Sequence, residues 1–172
     1  MTDSPDAAGL AADLDLALRL ADAADAESLP RFDAADLQIS TKADRTHVTD
    51  ADLATDDAVL GEEFGSAGES RRQWIIDPID GTANFMRGVP LWGTMIALAV
   101  DGVPQVGVVS MPALGRRWWA STGGGAWTAA HPRPRQIRTS AIASLDDAAV
   151  SFQSITQWAD AGHLPALLRL AD

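Results

Sequence analysis

The chain has 172 residues, is 47% hydrophobic with six tryptophans, and carries a formal net charge of −11. That length supports one domain with a real core, and that composition should fold rather than stay disordered. The charge makes nucleic acid and anionic membranes unfavourable partners, no apolar run is long enough for a membrane span, and the lack of cysteine excludes disulfides and thiolate chemistry.

The acidic excess is uneven, with 16 Asp and Glu against 4 Lys and Arg in residues 1–63. Most of these charges read as a solvated face, although such a half can also collect divalent cations. The start, MTDSPDAAGLAADLD, lacks the basic region of a signal peptide, so the sequence predicts a cytoplasmic protein.

Residues 1–8 read as a disordered tail. From Gly9 the pattern turns helical, with Leu10, Leu14, Ala17 and Ala21 on one face, and Pro30 should end or kink that helix. Leu37–Thr41 alternates like a short strand. After the polar stretch KADRTHVTDAD, Thr49 or Asp50 can cap a helix running to about Leu60. GEEFGSAGESRR reads as loop, QWIID as a short buried strand, and Gly81-Thr82 as the start of a brief helix closed by Gly88 and Pro90. Trp92–Val100 and Gln105–Met111 form a hairpin across Asp101-Gly102, and Arg117–Ser121 and Ala126–Thr128 form another across Gly123–Gly125. HPRPRQIRTS reads as irregular and basic, Ala148–Ser154 as a strand, and 155–171 as a helix interrupted by Gly162 and Pro165. The mixture predicts a largely antiparallel sheet rather than a βαβ series.

The stretch that asks for chemistry is WIIDPIDGTANF, residues 74–85. An apolar strand runs into Asp77, and Asp80 follows after Pro78-Ile79. Proline presets a turn at the strand end, which can aim both carboxylates and the Ile79 carbonyl at one point. Such oxygens suit a hard cation like Mg²⁺. Gly81 lets a ligand approach the backbone, Thr82 can cap the new helix, and a helix N-terminus favours phosphate. In isolation the same residues also fit a turn that the aspartates merely cap. Likewise Glu62, in Gly61-Glu62-Glu63, fits a surface charge, and Asp50 fits an N-cap. Arg87 is either an anion contact or an exposed charge. His47, in the loop beside Asp50, either lines the site or is passive, with the passive role favoured, and His131 and His163 have no evident partner.

Taken together, Thr46-His47-Val48-Thr49-Asp50, Gly61-Glu62-Glu63 and WIIDPIDGTANF resemble the ordered motifs of the inositol monophosphatase superfamily of Mg²⁺-dependent, Li⁺-sensitive phosphatases. The resemblance covers about residues 9–160. It implies an α+β fold, a layered αβα sandwich with an N-terminal antiparallel sheet plus helices over 9–145 and the first strand and helix of a C-terminal α/β half over 146–172. It further implies that Glu62, Asp77 and the Ile79 carbonyl hold one Mg²⁺, and that Asp77 and Asp80 hold a second. Gly81 and Thr82 N–H groups would bind phosphate, and Asp50 with the Thr82 hydroxyl would orient and deprotonate the attacking water. Li⁺ should inhibit, and a homodimer is expected.

Within the family, AVLGEEFG, NFMRGVPLWGT and PALGRRWWAS look most like the actinobacterial histidinol-phosphate phosphatase branch. Arg116-Arg117-Trp118-Trp119 is the strongest local cue, although it also reads as a strand with one Trp on each face. An acidic wall and an aromatic face would suit histidinol phosphate, which carries an amine and an imidazole. Inositol 1-phosphate or another sugar phosphate is the alternative substrate. A non-catalytic metal- or phosphate-binding protein is the alternative of a different class. Family members usually run longer and carry a Trp-Asp-x-Ala signature that supplies another metal-binding aspartate. No Trp-Asp pair occurs here, and the nearest stretch is Trp158-Ala159-Asp160. The faces that a longer chain would cover are expected to promote self-association.

Overall fold

A computed structural model describes residues 7–32, 34, 58–61, 65–67, 70–130, 133–149, 151–152 and 154–169. Two compact units make up the chain, Met1–Ile137 and Arg138–Asp172.

The first unit opens with helix α1, Ala7–Ser28, two residues ahead of the expected start. Alanine and leucine favour the helix, and the spacing of Leu10, Ala17, Leu20, Ala21 and Ala24 buries one face. Pro30 lies just past the helix, in a 3₁₀ turn over Leu29–Arg31, and so ends it. Ser28 closes the last turn by donating its hydroxyl to the Ala24 carbonyl at 2.7 Å. The expected tail over 1–8 lies outside the described residues except for Ala7 and Ala8, which are helical.

Eight strands form one sheet: β1 Ala58–Gly61, β2 Gly65–Ala67, β3 Arg72–Asp80, β4 Gly93–Val100, β5 Val103–Met111, β6 Arg116–Ser121, β7 Gly125–Ala130 and β8 Arg133–Ile137. A short helix, α2 Thr82–Phe85, lies between β3 and β4 in the chain. The spatial order of the strands is β2-β1-β3-β4-β5-β6-β7-β8, and every pairing is antiparallel except β1 with β3. At the β4–β5 hairpin Asp101 and Gly102 both have left-handed φ, 51° and 76°. That is the backbone of a two-residue turn matched to the sheet twist.

Four expectations are corrected. The helix expected to run to about Leu60 gives way to strand by Ala58, because Ala58–Gly61 pair in parallel with Gln73–Ile76. The loop read over 61–72 contains β2, which folds back on β1. The segment read as irregular around 131–140 contains β8, which pairs with β7 along Ala126–Ala130. Pro134 is tolerated there because β8 is an edge strand. The strand expected over Ala148–Ser154 is not formed among the described residues of that segment. A strand exists only where a neighbour completes its hydrogen bonds, and among the described residues none pairs with it. The strand expected over Leu37–Thr41 lies outside the described residues.

The core sits between α1 and one face of the sheet, where Trp74, Ile76, Ile96, Leu98, Val106 and Val108 meet Leu10, Ala17, Leu20 and Ala21. Burial of each large side chain stabilises the fold by roughly 1.5–3 kcal/mol before entropy is counted. Trp119 packs at the margin of this cluster. The opposite sheet face carries Leu60, Ile75 and Met95, each more than a third exposed. They line a concavity of about 660 Å³ together with Asp77, Ala97 and Val109. Helix α1 and the sheet are adjacent layers of the α+β fold.

In the second unit Ser144 caps a 3₁₀ turn over Leu145–Asp147. Two short helices follow, α3 Ile155–Asp160 and α4 Leu164–Arg169. Ser154 caps α3 by accepting from the Gln157 N–H at 3.2 Å, and the Phe152 and Trp158 rings meet at 6.2 Å. The break falls at Gly162 as expected, whereas Pro165 sits inside the first turn of α4, where a missing N–H costs nothing. Among the described residues no helix is long and apolar enough to cross a membrane.

Candidate functional site

Strand β3 alternates cleanly up to Asp77. Trp74 and Ile76 point to α1, which leaves Ile75 and Asp77 on the other face. Asp77 pairs with Met95, but the next pair is Asp80 with Gly93. Pro78 and Ile79 therefore stand against the single residue Thr94, which makes a β-bulge. Proline suits the position because it brings no N–H that the interrupted ladder would have to satisfy.

Three short hydrogen bonds shape the bulge. The Ile79 N–H donates to Asp77 Oδ1 at 3.2 Å, a local turn of the kind aspartate favours. The Thr94 hydroxyl donates to the Pro78 carbonyl at 2.9 Å. The Thr82 hydroxyl donates to the Ile79 carbonyl at 3.0 Å. Thr82 was expected to cap the following helix; its hydroxyl is committed backward to the bulge instead. The cap position belongs to Gly81, whose carbonyl accepts from the N–H groups of Asn84 and Phe85 at 2.8 and 3.1 Å.

Helix α2 is a single turn. Gly81 reaches it through a left-handed φ of 85°, and a Cβ there would lie 3.0 Å from the Leu91 carbonyl oxygen. The Asn84 side chain donates to that same oxygen at 2.7 Å. The N–H groups of Thr82 and Ala83 begin the helix with no acceptor among the described residues. Beneath the turn, Phe85 stacks edge-on against Trp92 at 4.8 Å, and Phe32 contacts both rings.

The structure thus brings Asp77, Ile79, Asp80, Gly81 and Thr82 into one turn. Asp77 is half-buried beside the concavity, and Asp80 is exposed. Asp50, Glu62, Glu63 and His47 lie outside the described residues. Pairing of Gly61 with Ile76 nevertheless brings the backbone just before Glu62 alongside that just before Asp77. Among the described residues no three metal-ligating side chains converge. Arg87 is exposed; His163 donates its backbone N–H to the Trp158 carbonyl at 2.8 Å; His131 lies outside the described residues.

Sequence reading missed Thr94, Asn84 and Trp92. A signal existed for Thr94: it occupies a core-facing position in the alternation Thr94, Ile96, Leu98, where a hydroxyl needs a reason. It missed Arg117 as well. Trp118 and Trp119 alternate on β6, as one reading proposed, and that alternation puts Arg117 on the α1 side with Trp119. There it pairs with Asp22 and Asp25 at 2.7 and 2.6 Å. Burial opposes the charge on Arg117, and its hydrogen bonds to the two carboxylates more than offset this, so its pKa is raised.

Residues 17–162 match the inositol monophosphatase family. The chain is 51% identical to the histidinol-phosphatase of Mycobacterium tuberculosis over 93% of this chain and 67% of that protein. It is 46% identical to the histidinol-phosphatase of Streptomyces coelicolor over 92% and 66%. Among solved structures it resembles the inositol monophosphatase from Anabaena, with a TM-score of 0.66 and 31% identity over 79% of this chain and 52% of that one. It also resembles the extragenic suppressor protein suhB from Bartonella henselae, with a TM-score of 0.65 and 26% identity over 78% and 57%. The chain therefore spans about two thirds of these curated relatives and a little over half of these solved chains. On the family match and these identities, the chain belongs to the inositol monophosphatase family.

Proposed function

We propose that this chain carries the catalytic turn of a Mg²⁺-dependent phosphomonoesterase that hydrolyses histidinol phosphate to histidinol by in-line attack of water. One observation carries the chemistry. The bulge sets the Asp77 carboxylate, the Ile79 carbonyl and the Asp80 carboxylate directly ahead of a helix whose first N–H groups have no acceptor among the described residues. The choice of substrate rests on the relatives named histidinol-phosphatase.

The donor set fits Mg²⁺, since every candidate ligand is a carboxylate or carbonyl oxygen and none is sulfur or imidazole. Glu62, Asp77 and the Ile79 carbonyl would hold one ion, and Asp77 with Asp80 a second. When bound, Mg²⁺ supplies positive charge against which the leaving oxygen departs. The chain's own residues do the rest. Gly81 and Thr82 hold the phosphate oxygens through backbone N–H groups. The Thr82 hydroxyl proton is directed to Ile79, so its oxygen can accept a hydrogen bond from the attacking water. Asp50 takes the proton that this water gives up.

The test is phosphate release by this chain with Mg²⁺, offered histidinol phosphate beside inositol 1-phosphate, with Asp77→Asn and added EDTA as controls. Turnover of histidinol phosphate that both controls abolish is the expected result. Faster turnover of inositol 1-phosphate would overturn the substrate assignment. Ligand binding without turnover of either would overturn the enzyme reading for this chain in favour of a metal- or phosphate-binding protein. Light scattering after gel filtration tests the expected homodimer.

A further inference from the structure

The bulge that carries Asp77 and Asp80 takes Pro78 and Ile79 out of the regular register, and side chains meet their backbone groups: the Ile79 N–H donates to Asp77, and the Ile79 and Pro78 carbonyls accept from Thr82 and Thr94. In an antiparallel pair two residues facing one cannot both exchange the regular hydrogen bonds. The single residue facing them is Thr94, and its hydroxyl donates to the Pro78 carbonyl at 2.9 Å. Thr94 is fully buried, at 0% exposure, in the central part of the sheet. A valine would fill the same space and is the ordinary choice for a core-facing strand position. The hydroxyl is therefore a specific addition at a buried position, and it reaches a carbonyl of the bulge from the facing strand.

Thr94 is in turn held from the other side. It pairs across the sheet with Ser110, which is 1% exposed. Ser110 donates to Asp25 of α1 at 2.6 Å and accepts from Arg117 at 3.0 Å. A row of polar residues, Thr94, Ser110 and Arg117, thus runs across the α1 side of the sheet at the level of the bulge, beside the apolar cluster on that face. Gly93, next to Thr94, lies so close to β5 that a Cβ would meet the Ser110 carbonyl oxygen at 2.5 Å, which keeps the two strands in tight register.

We propose that Thr94 is a positioning residue for the cation site: its buried hydroxyl pins the Pro78 carbonyl and so fixes the bulge from which Asp77, the Ile79 carbonyl and Asp80 project. The inference rests on the Mg²⁺ reading given above. Thr94 touches neither cation nor substrate in this account. It acts by holding the backbone between two ligands, as outer hydrogen-bond partners of metal sites do.

The test is calorimetric titration of the full chain with Mg²⁺ alone, without substrate, well below the unfolding temperature of each variant. Asp77→Asn separates binding at the turn from loose association with an acidic protein. Thr94→Val keeps the volume and removes the hydroxyl, and Thr94→Ser keeps the hydroxyl. Asp77-dependent Mg²⁺ affinity should weaken by about tenfold in Thr94→Val and stay within about threefold of the original in Thr94→Ser. A purely structural role would lower the unfolding temperature of Thr94→Val and leave the Mg²⁺ affinity of the folded protein unchanged, and that result overturns the proposal. If Thr94→Val does not fold, Thr94→Ala removes the same hydroxyl without added bulk and is read in the same way. Equal Mg²⁺ binding by the original chain and Asp77→Asn would overturn the underlying site assignment, and this proposal with it.

Discussion

Arg117 and Asp25, 92 residues apart in sequence, share a 2.6 Å hydrogen-bonded ion pair that ties β6 to the last turns of α1. The same Asp25 oxygen accepts from Ser110, and the second oxygen is buried with no partner among the described residues. The carboxylate therefore depends on these two donors. Removing the cation leaves a largely desolvated charge uncompensated, which is the costly way to break such a pair.

Arg117→Met should lower stability by about 2–4 kcal/mol, and a chain of this size then loses roughly 5–15 °C in melting temperature. The double variant with Asp25→Leu should recover part of the loss, because both charges leave together. Thermal melts of the two single variants and the double variant check this. An unchanged melting temperature for Arg117→Met would show that the pair is only a surface contact.

A second ion pair predicts a pH effect of known sign. Arg71 grips Asp101 through two hydrogen bonds of 2.7 and 2.5 Å, and these hold the Asp101 carboxyl below the usual carboxylate range. A depressed carboxylate contributes stability that is fully present above its unfolded pKa and is lost as pH falls through the folded one. Asp101→Asn removes the charge but keeps a residue that tolerates the left-handed turn. The original chain should be slightly more stable than this variant at pH 7, and the difference should vanish at the acid end, below the ordinary carboxylate range. Denaturant midpoints from neutral pH down to that acid end measure it. Since the pair is exposed, the effect should be small and should shrink in high salt.

Gly81 predicts an effect on function rather than on fold. Its φ of 85° is left-handed, and an added Cβ would stand 3.0 Å from the Leu91 oxygen, so Gly81→Ala has two ways to respond, strain or displacement of the turn. Left-handed backbone at alanine costs roughly 1–2 kcal/mol, which a folded domain can absorb. Displacement of Thr82 by about an ångström costs on the order of 100-fold in turnover. Gly81→Ala should therefore fold, with a modest loss of melting temperature and a far larger loss of phosphate release. Parallel loss of both to the same slight degree would show that the turn is not part of the reacting site.

How much was legible in the sequence follows from how local each signal is. The Asp101-Gly102 turn and the apolar run into Asp77 depend on neighbouring residues and were readable, whereas the turn expected at Pro78 is a β-bulge within β3, which runs on to Asp80 because Asp80 pairs with Gly93. The end of the segment before Leu60 was not readable. Ala58, Val59 and Leu60 continue a helical pattern on local grounds, and only their pairing with β3 makes them a strand. The basic, proline-bearing β8 was missed because an edge strand needs a partner on one side only, and its exposed arginines look like loop. The reverse error occurred over 148–154, where an apolar run promised a strand that finds no partner among the described residues. At the site, the candidate ligands proposed above could be named from the motif, whereas Thr94 and Asn84 are known only from the carbonyls they hold, Pro78 and Leu91.

Trp92 gives the sharpest test of packing beneath the site. It is 1% exposed, its ring meets Phe85 and Phe32, and its indole N–H has no hydrogen-bond partner among the described residues. An unpaired buried donor costs about 1–3 kcal/mol, so the residue is retained for its volume and ring contacts despite its polar atom. Trp92→Phe removes the unpaired donor and keeps an aromatic ring with a smaller volume, and the two effects oppose one another. Its stability should lie within about 1 kcal/mol of the original, whereas Trp92→Ala should lose about 3–5 kcal/mol. Urea midpoints for the two variants separate these terms. If Trp92→Phe proved as costly as Trp92→Ala, the indole N–H would have to be hydrogen-bonded in solution, and Trp92 would join Thr94 and Asn84 among the side chains that hold the turn by a polar contact.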